Sequence, residues 1–167
     1  MRVLHVMAGL PPGGAHRLAL DLIGWLQQQP DMEQRLCVLK EATTRLRSLR
    51  VPITPSYLGY SGNYRNPFET LACIQLLRQH IEEFQPDIVH SYLWLCDVLS
   101  ASALHPGRER MVSHICDRRE YLTAPHLKAW FRKKLTIHLL RRASASYVAV
   151  SAAARDFFCE NTGFPES

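Results

Sequence analysis

Met1-Arg-Val-Leu-His-Val-Met-Ala-Gly-Leu-Pro-Pro-Gly-Gly-Ala-His-Arg17 is the stretch that decides the fold. Arg2 to Ala8 is a short, mostly apolar run, too brief for a helix and bounded by turn-formers. It reads as the central strand of a parallel sheet, buried on both faces. Gly9 to Gly14 is a turn rich in Gly and Pro, and from Ala15 the apolar residues Ala15, Leu18, Ala19, Leu22, Ile23 and Leu26 recur at helical spacing. A strand, a glycine turn and a helix in that order point free backbone N–H groups over the sheet edge, which favours an anionic group such as phosphate.

Working outward, Gln34 to Lys40 reads as a second strand and Ile53 to Leu58 as a third, with a short helix over Thr43 to Arg50 between them. Asn66-Pro-Phe-Glu69 is a helix start: Asn as cap, Pro at the first helical position, and Glu placed to reach back to the cap's N–H. Leu71, Ile74, Leu77, Ile81 and Phe84 form the expected buried stripe of that helix, which ends before Pro86. Asp87 to His90 is the next strand, followed through Ser91 to Trp94 by a helix from Leu95 to Leu104. Met111 to Ile115 is another strand. A polar loop over Cys116 to Tyr121 then leads to a long helix from Pro125 to Arg142, and Ser146 to Val150 closes the series as a strand. Ser151 caps a last helix running to Asn161.

This alternation predicts one doubly wound, mainly parallel Rossmann-like α/β sheet with helices on both faces, over residues 1–163. Ligands of such sheets sit outside the carboxyl ends of the strands, a rule that gathers Gly13, Gly14, His90, Tyr92, Cys116, Asp117, Arg118, Arg119 and Ser151 on one rim.

A length of 167 residues suits one domain, and a hydrophobic fraction of 47% with 21% charged residues is that of an ordinary globular chain. No apolar run approaches the roughly 18 residues of a membrane span, and no small-residue cleavage site follows the first strand, so the expectation is a soluble cytoplasmic chain. The five cysteines, Cys37, Cys73, Cys96, Cys116 and Cys159, are widely spaced and include no C-x-x-C pair, which points to reduced thiols and away from disulfides or zinc. The net charge of +5 lies largely between Arg108 and Arg142; it permits an acidic partner or a solvated basic helix face. No nucleic-acid module is recognisable.

Three segments, Val3 to Arg17, Gln85-Pro-Asp-Ile-Val-His-Ser-Tyr-Leu-Trp94 and Ser144-Ala-Ser-Tyr-Val-Ala-Val-Ser-Ala-Ala-Ala-Arg-Asp-Phe-Phe158, resemble in order and spacing the N-terminal domain of retaining GT-B glycosyltransferases of family 4. The resemblance implies a two-domain enzyme whose N-terminal half binds the acceptor and whose C-terminal half holds most of a nucleotide-sugar donor. It implies a cleft between the halves, and no metal or cofactor beyond the sugar nucleotide. Residues 164–167 then correspond to the start of the linker, with the donor half supplied by a further domain or a partner chain, and the isolated chain is expected to be inactive.

Under this resemblance Gly13 and Gly14 match the turn that approaches the donor diphosphate, and Arg118 and Arg119 match an Arg-Arg pair that would add charge there. The alternative is that either arginine pairs with Asp117 or Glu120. His16 stands where many relatives have glutamate. His16, His90, Tyr92 and Cys116 are acceptor-side candidates, and His90, His114 and Asp117 are candidates for the catalytic role. Cys116 takes the place of a frequent histidine, with His114 two residues earlier on the same side of the strand. The helix over 125–142 carries Lys and Arg interleaved with Leu127, Trp130, Phe131 and Leu135; it is either a core-packing helix with snorkelling cations or a peripheral contact to the inner membrane surface.

Two readings stand beside the enzyme half. One is a non-catalytic partner-binding module or truncated remnant that associates with a separate donor-binding half. The other is a nicotinamide or flavin dinucleotide domain, favoured only by Glu41; Gly9 to Gly14 is not G-x-G-x-x-G, and Pro11 and Pro12 each remove an N–H.

Overall fold

Arg2–Met7 exposes only its first residue, as a strand covered on both sides must. The computed structural model describes residues 1–10, 13–40, 51–63, 65–105, 107–117 and 119–165. Its strands are β1 (Arg2–Met7), β2 (Glu33–Val38), β3 (Pro55–Tyr57), β4 (Ile88–Tyr92), β5 (Arg110–Ile115) and β6 (Ser146–Ala149). Its helices are α1 (Gly14–Leu26), α2 (Pro67–Phe84), α3 (Leu93–Ala103), α4 (Leu127–Arg142) and α5 (Ala152–Thr162), with a 3-10 turn at Glu120–Leu122. The six strands are all parallel in the order β3-β2-β1-β4-β5-β6. This is the doubly wound, Rossmann-like sheet the alternation predicts. The expected helix over Thr43 to Arg50, Glu41, Pro11, Pro12 and Arg118 lie outside the described residues.

Side-chain alternation divides the core in two. Met7 packs with Leu36, Val38 and Tyr92 against Ala19, Leu20 and Ile23 of α1. Leu4, Val6 and Val89 face the other way, into a larger cluster with residues of α2, α3, α4 and α5.

Several local readings shift by a few residues for identifiable reasons. Cys73, Leu77, Ile81 and Phe84 make the buried stripe of α2, while Leu71 is 55% exposed. At 100° per residue Leu71 lies on the far side of the helix from Cys73, so Cys73 takes its place. Asn66 caps α2 as expected, accepting from the Glu69 N–H, but the Glu69 carboxylate does not return to the cap; it accepts from the Ser61 N–H at 2.5 Å. β4 continues to Tyr92 and passes directly into α3 through Leu93, which adopts a left-handed φ of 71°. The short β3 begins at Pro55 on the sheet edge, where a missing N–H costs least. In α4 the stripe of Leu127, Trp130, Phe131 and Leu135 faces outward, and Ala129, Thr136, Leu139 and Leu140 make the buried contacts.

On the face of α3, a buried ion pair ties four segments together. Asp97 of α3 accepts from Ser91 Oγ of β4 at 2.5 Å and pairs with Arg119 Nη2 at 2.5 Å. The same Nη2 donates to Ser113 Oγ of β5 at 3.3 Å, and the guanidinium lies 5.4 Å from the Phe158 ring of α5. Burial raises the Asp97 pKa, opposed by the Arg119 charge. Removing one partner strands the other charge in the core. Asp97→Leu or Arg119→Met alone is therefore expected to lower the stability to urea by about 3–5 kcal/mol, and the double variant to lose much less than the sum. Additive losses would show that the pair is not coupled.

Candidate functional site

Successive crossovers carry the chain outward in opposite directions from β1 and β4, so the crevice outside their carboxyl ends is the topological switch point of the sheet. Three observations define what lies there.

The first is the start of α1. Its cap residue Gly13 supplies no side-chain hydrogen bond, and the first turn contains no acidic residue. Among the described residues no side chain caps the opening N–H groups of the helix, an arrangement that suits an outside acceptor. A Cβ built on Gly14 would meet nothing within 4 Å, and one on Gly13 only the His16 ring at 3.6 Å. The space before the turn is open. Arg17 is exposed and pairs loosely with Asp21, at 3.9 Å.

The second is a row of rings along the floor. Register pairs His5 with His90 and Tyr92 with His114, all on the α1 face of the sheet. Tyr92 OH lies 3.2 Å from His5 Nδ1 and 3.2 Å from His90 Nδ1. His5 Nε2 is 3.0 Å from Gln34 Oε1, and Gln34 Nε2 donates to the Ile23 carbonyl at 3.3 Å. His90 and His114 stack with centroids 5.4 Å apart and planes 3° from parallel. Burial makes these rings poor bases. It lowers the His5 pKa to about 4, against the pull of the Gln34 hydrogen bond, and the His90 pKa to about 3, with help from its two histidine neighbours. Desolvation also lowers His114 and His16. At neutral pH the floor carries no charge and can engage a ligand only through hydrogen bonds and stacking.

The third is the loop after β5. Asp117 is exposed and Cys116 half-buried, its thiol pushed up to about 11 by burial, so it stays a protonated thiol. The Arg119 side chain turns under the sheet to Asp97 and is 1% exposed. Its partner is thus Asp97, distant in sequence, and its charge is spent in the core. Ser151 uses its hydroxyl to cap α5, accepting from the Ala154 N–H at 3.2 Å.

The structure therefore brings His90, Tyr92 and His114 together on the floor and sets the Gly13–Gly14 turn at the carboxyl end of β1, whereas Arg119 is drawn away. Among the described residues no group of three or more His, Cys, Asp or Glu side chains is placed to hold a metal ion. Sequence reasoning did not assign His5 or Gln34 to the site. The signal was a histidine inside an otherwise apolar run, since a polar residue on a strand buried on both faces must have a partner.

Comparison with known proteins agrees with this fold. The family model described as Glycosyltransferase Family 4 matches residues 12–167. No curated protein sequence matches the chain. Among solved structures, HepE of Anabaena in complex with UDP superposes with a TM-score of 0.67 at 19% identity, covering 96% of this chain and 41% of that one. The same protein with UDP and glucose gives 0.71 at 16% identity, covering 95% and 40%. UDP-GlcNAc 2-epimerase from Neisseria meningitidis bound to UDP-GlcNAc gives 0.68 at 21% identity, covering 99% and 44%. The chain thus spans less than half the length of these structures, and at such identities the likeness shows a shared fold.

The depressed histidine pKa values carry a sign. An unfolded histidine titrates near 6.5, so between pH 6.5 and about 4 the unfolded chain binds protons that His5 and His90 in the folded chain do not. Their contribution to stability is complete above pH 6.5 and is lost as pH falls, with a slope of about 1.4 kcal/mol per pH unit for each ring. Urea midpoints measured at pH 7, 6 and 5 should fall accordingly, and His90→Gln should reduce the slope. A flat profile would contradict the burial of uncharged rings.

Proposed function

Because this chain belongs to glycosyltransferase family 4, we propose that it is the acceptor-binding half of an enzyme that transfers a sugar from a nucleotide-sugar to an acceptor hydroxyl with retention of anomeric configuration. The observation that carries the proposal is the pairing, at one switch point, of an open helix start and an uncharged histidine floor. The structural neighbours, in complex with UDP, UDP and glucose, or UDP-GlcNAc, support a nucleotide-sugar as donor. The family supports a donor site built largely by a second half.

In this reading catalysis is positioning together with electrostatic stabilisation of the leaving diphosphate. The amides after Gly13 and Gly14 approach the diphosphate from the acceptor side. His90 or His114 meets the hydroxyl, with His16, Tyr92 and Cys116 around it and exposed Asp117 beside them. Arg119, neutralised by Asp97, holds the loop that carries Cys116 and Asp117. The 167-residue chain alone is expected not to consume a nucleotide-sugar, and release of UDP from UDP-glucose by the purified chain would overturn this division of labour. Joined to a donor-binding half, Gly14→Val is expected to lower kcat/KM about 10- to 100-fold by holding the phosphate away. A Cβ at Gly14 has open space around it, so a fall in activity reports on ligand approach and not on folding.

The outward stripe of α4 supports a peripheral contact with the anionic cytoplasmic leaflet. Leu127, Trp130, Phe131 and Leu135 are exposed beside exposed Lys128, Lys134 and Arg142. None of the described helices is long and apolar enough to cross a membrane. In sedimentation with vesicles containing anionic lipid, Trp130→Ala with Phe131→Ala should weaken binding at least about tenfold, since burying each large apolar side chain is worth about 1.5–3 kcal/mol. Unchanged binding would contradict the contact.

A further inference from the structure

The hydrogen bonds of the floor have a direction that their distances alone do not express. The Ile23 carbonyl can only accept, so the Gln34 amide nitrogen, 3.3 Å away, must point to it, and the Gln34 oxygen must face His5. Reversing the amide would set two acceptor oxygens against each other. His5 Nε2 therefore carries the proton and donates to Gln34 at 3.0 Å, leaving His5 Nδ1 with its lone pair. Tyr92 has one hydroxyl proton, which goes to His5 Nδ1 at 3.2 Å. The Tyr92 oxygen is then the acceptor for His90 Nδ1–H, also at 3.2 Å. Each assignment forces the next, and the last leaves His90 Nε2 as a bare acceptor.

No donor among the described residues meets that atom, although the His90 side chain is more than nine-tenths buried. On the stacked neighbouring ring His114 Nδ1 is buried and equally unmatched. Two adjacent nitrogens thus lack partners in a cluster whose other members are satisfied. A fully ionised phosphodiester or carboxylate oxygen has no proton to give to a lone pair. An O–H does.

We propose that Gln34, His5 and Tyr92 form a one-way hydrogen-bond relay that holds His90 in the Nδ1–H tautomer, so that its Nε2 accepts from a ligand hydroxyl and turns anions away. The relay assigns Gln34 and His5 as positioning residues: they act on the ligand only through His90. It separates two chemistries at the switch point, hydroxyls at the histidine floor and anions at the start of α1. The identification of the hydroxyl as part of the sugar-transfer reaction rests on the function proposed above; the tautomer does not.

The test is side-chain nitrogen NMR of the full 167-residue chain at pH 7, read by long-range proton–nitrogen correlations. The expected spectrum shows protonated Nε2 on His5 and protonated Nδ1 on His90. Gln34→Leu removes the first link and should convert His90 to a mixture of tautomers with the fold retained. Gln34→Glu gives up the bond to the Ile23 carbonyl but keeps an acceptor toward His5, and should restore the single tautomer. Methyl α-D-glucopyranoside, a neutral polyol, should shift His90 Nε2, and acetate, fully ionised at pH 7, should not at the same concentration. Protonated Nε2 on His90, a Gln34→Leu spectrum with the tautomer unchanged, no response to the polyol, or a shift with acetate would each overturn the proposal. None of these readouts requires sugar transfer. Loss of transferase activity with the tautomer intact would count against the function alone, and a wrong tautomer in an active enzyme against the relay alone.

Discussion

The centre of this sheet is buried on both faces, and a polar side chain placed there must find its partner in the protein or in a ligand. An unmatched buried polar group costs about 1–3 kcal/mol. β1 and β4 nevertheless carry His5, His90, Tyr92 and Ser91 through that centre, and His5, His90 and Ser91 all pair in register across the two strands or with β5. Two polar systems result, back to back across one layer of backbone. Toward α1 the solution is uncharged, a line of rings joined through shared protons. Toward α3 it is charged, with Ser91 and Ser113 supporting the Asp97–Arg119 pair.

The two solutions suit different tasks. The ion pair joins β4, β5, α3 and the loop after β5, and so fixes the rim without presenting charge to a ligand. The ring line presents uncharged hydrogen-bonding groups where the topology opens a crevice. In the proposed function, attraction for an anion is left to the start of α1, where backbone dipoles supply it without a cationic side chain. A ligand with both a phosphate and a hydroxyl-rich part would then be sorted by orientation before any chemistry occurs. Leu93, left-handed at the junction of β4 and α3, helps make this compact, because the strand that delivers Tyr92 becomes a helix within one residue.

Much of the architecture was legible because burial imposes periodicity. The strand Arg2 to Met7, the helix after Gly13 and the capped start at Asn66 all follow from patterns a few residues long. The rule that ligands lie outside the carboxyl ends of strands named the rim candidates, of which the structure gathers His90 and Tyr92 and draws Arg119 into the core. What the pattern did not contain was the identity of partners distant in sequence. Arg119 lies beside Asp117 and Glu120 along the chain, and only the packing of α3 against β5 brings Asp97 to it. His5 and Gln34 belong to neighbouring strands whose register no local signal states. The α4 stripe illustrates a third limit: spacing showed that Leu127, Phe131 and Leu135 share a face, but not that the face points outward.

The central claim is that the crevice floor is an uncharged row of buried histidines. A residue-resolved pH titration of the ring carbons of His5 and His90 tests it most directly. The account predicts that both rings keep essentially neutral chemical shifts from pH 8 down to about pH 5, with His5 half-protonated only near pH 4 and His90 lower still. A ring that titrates near 6.5, as an exposed histidine does, would contradict it.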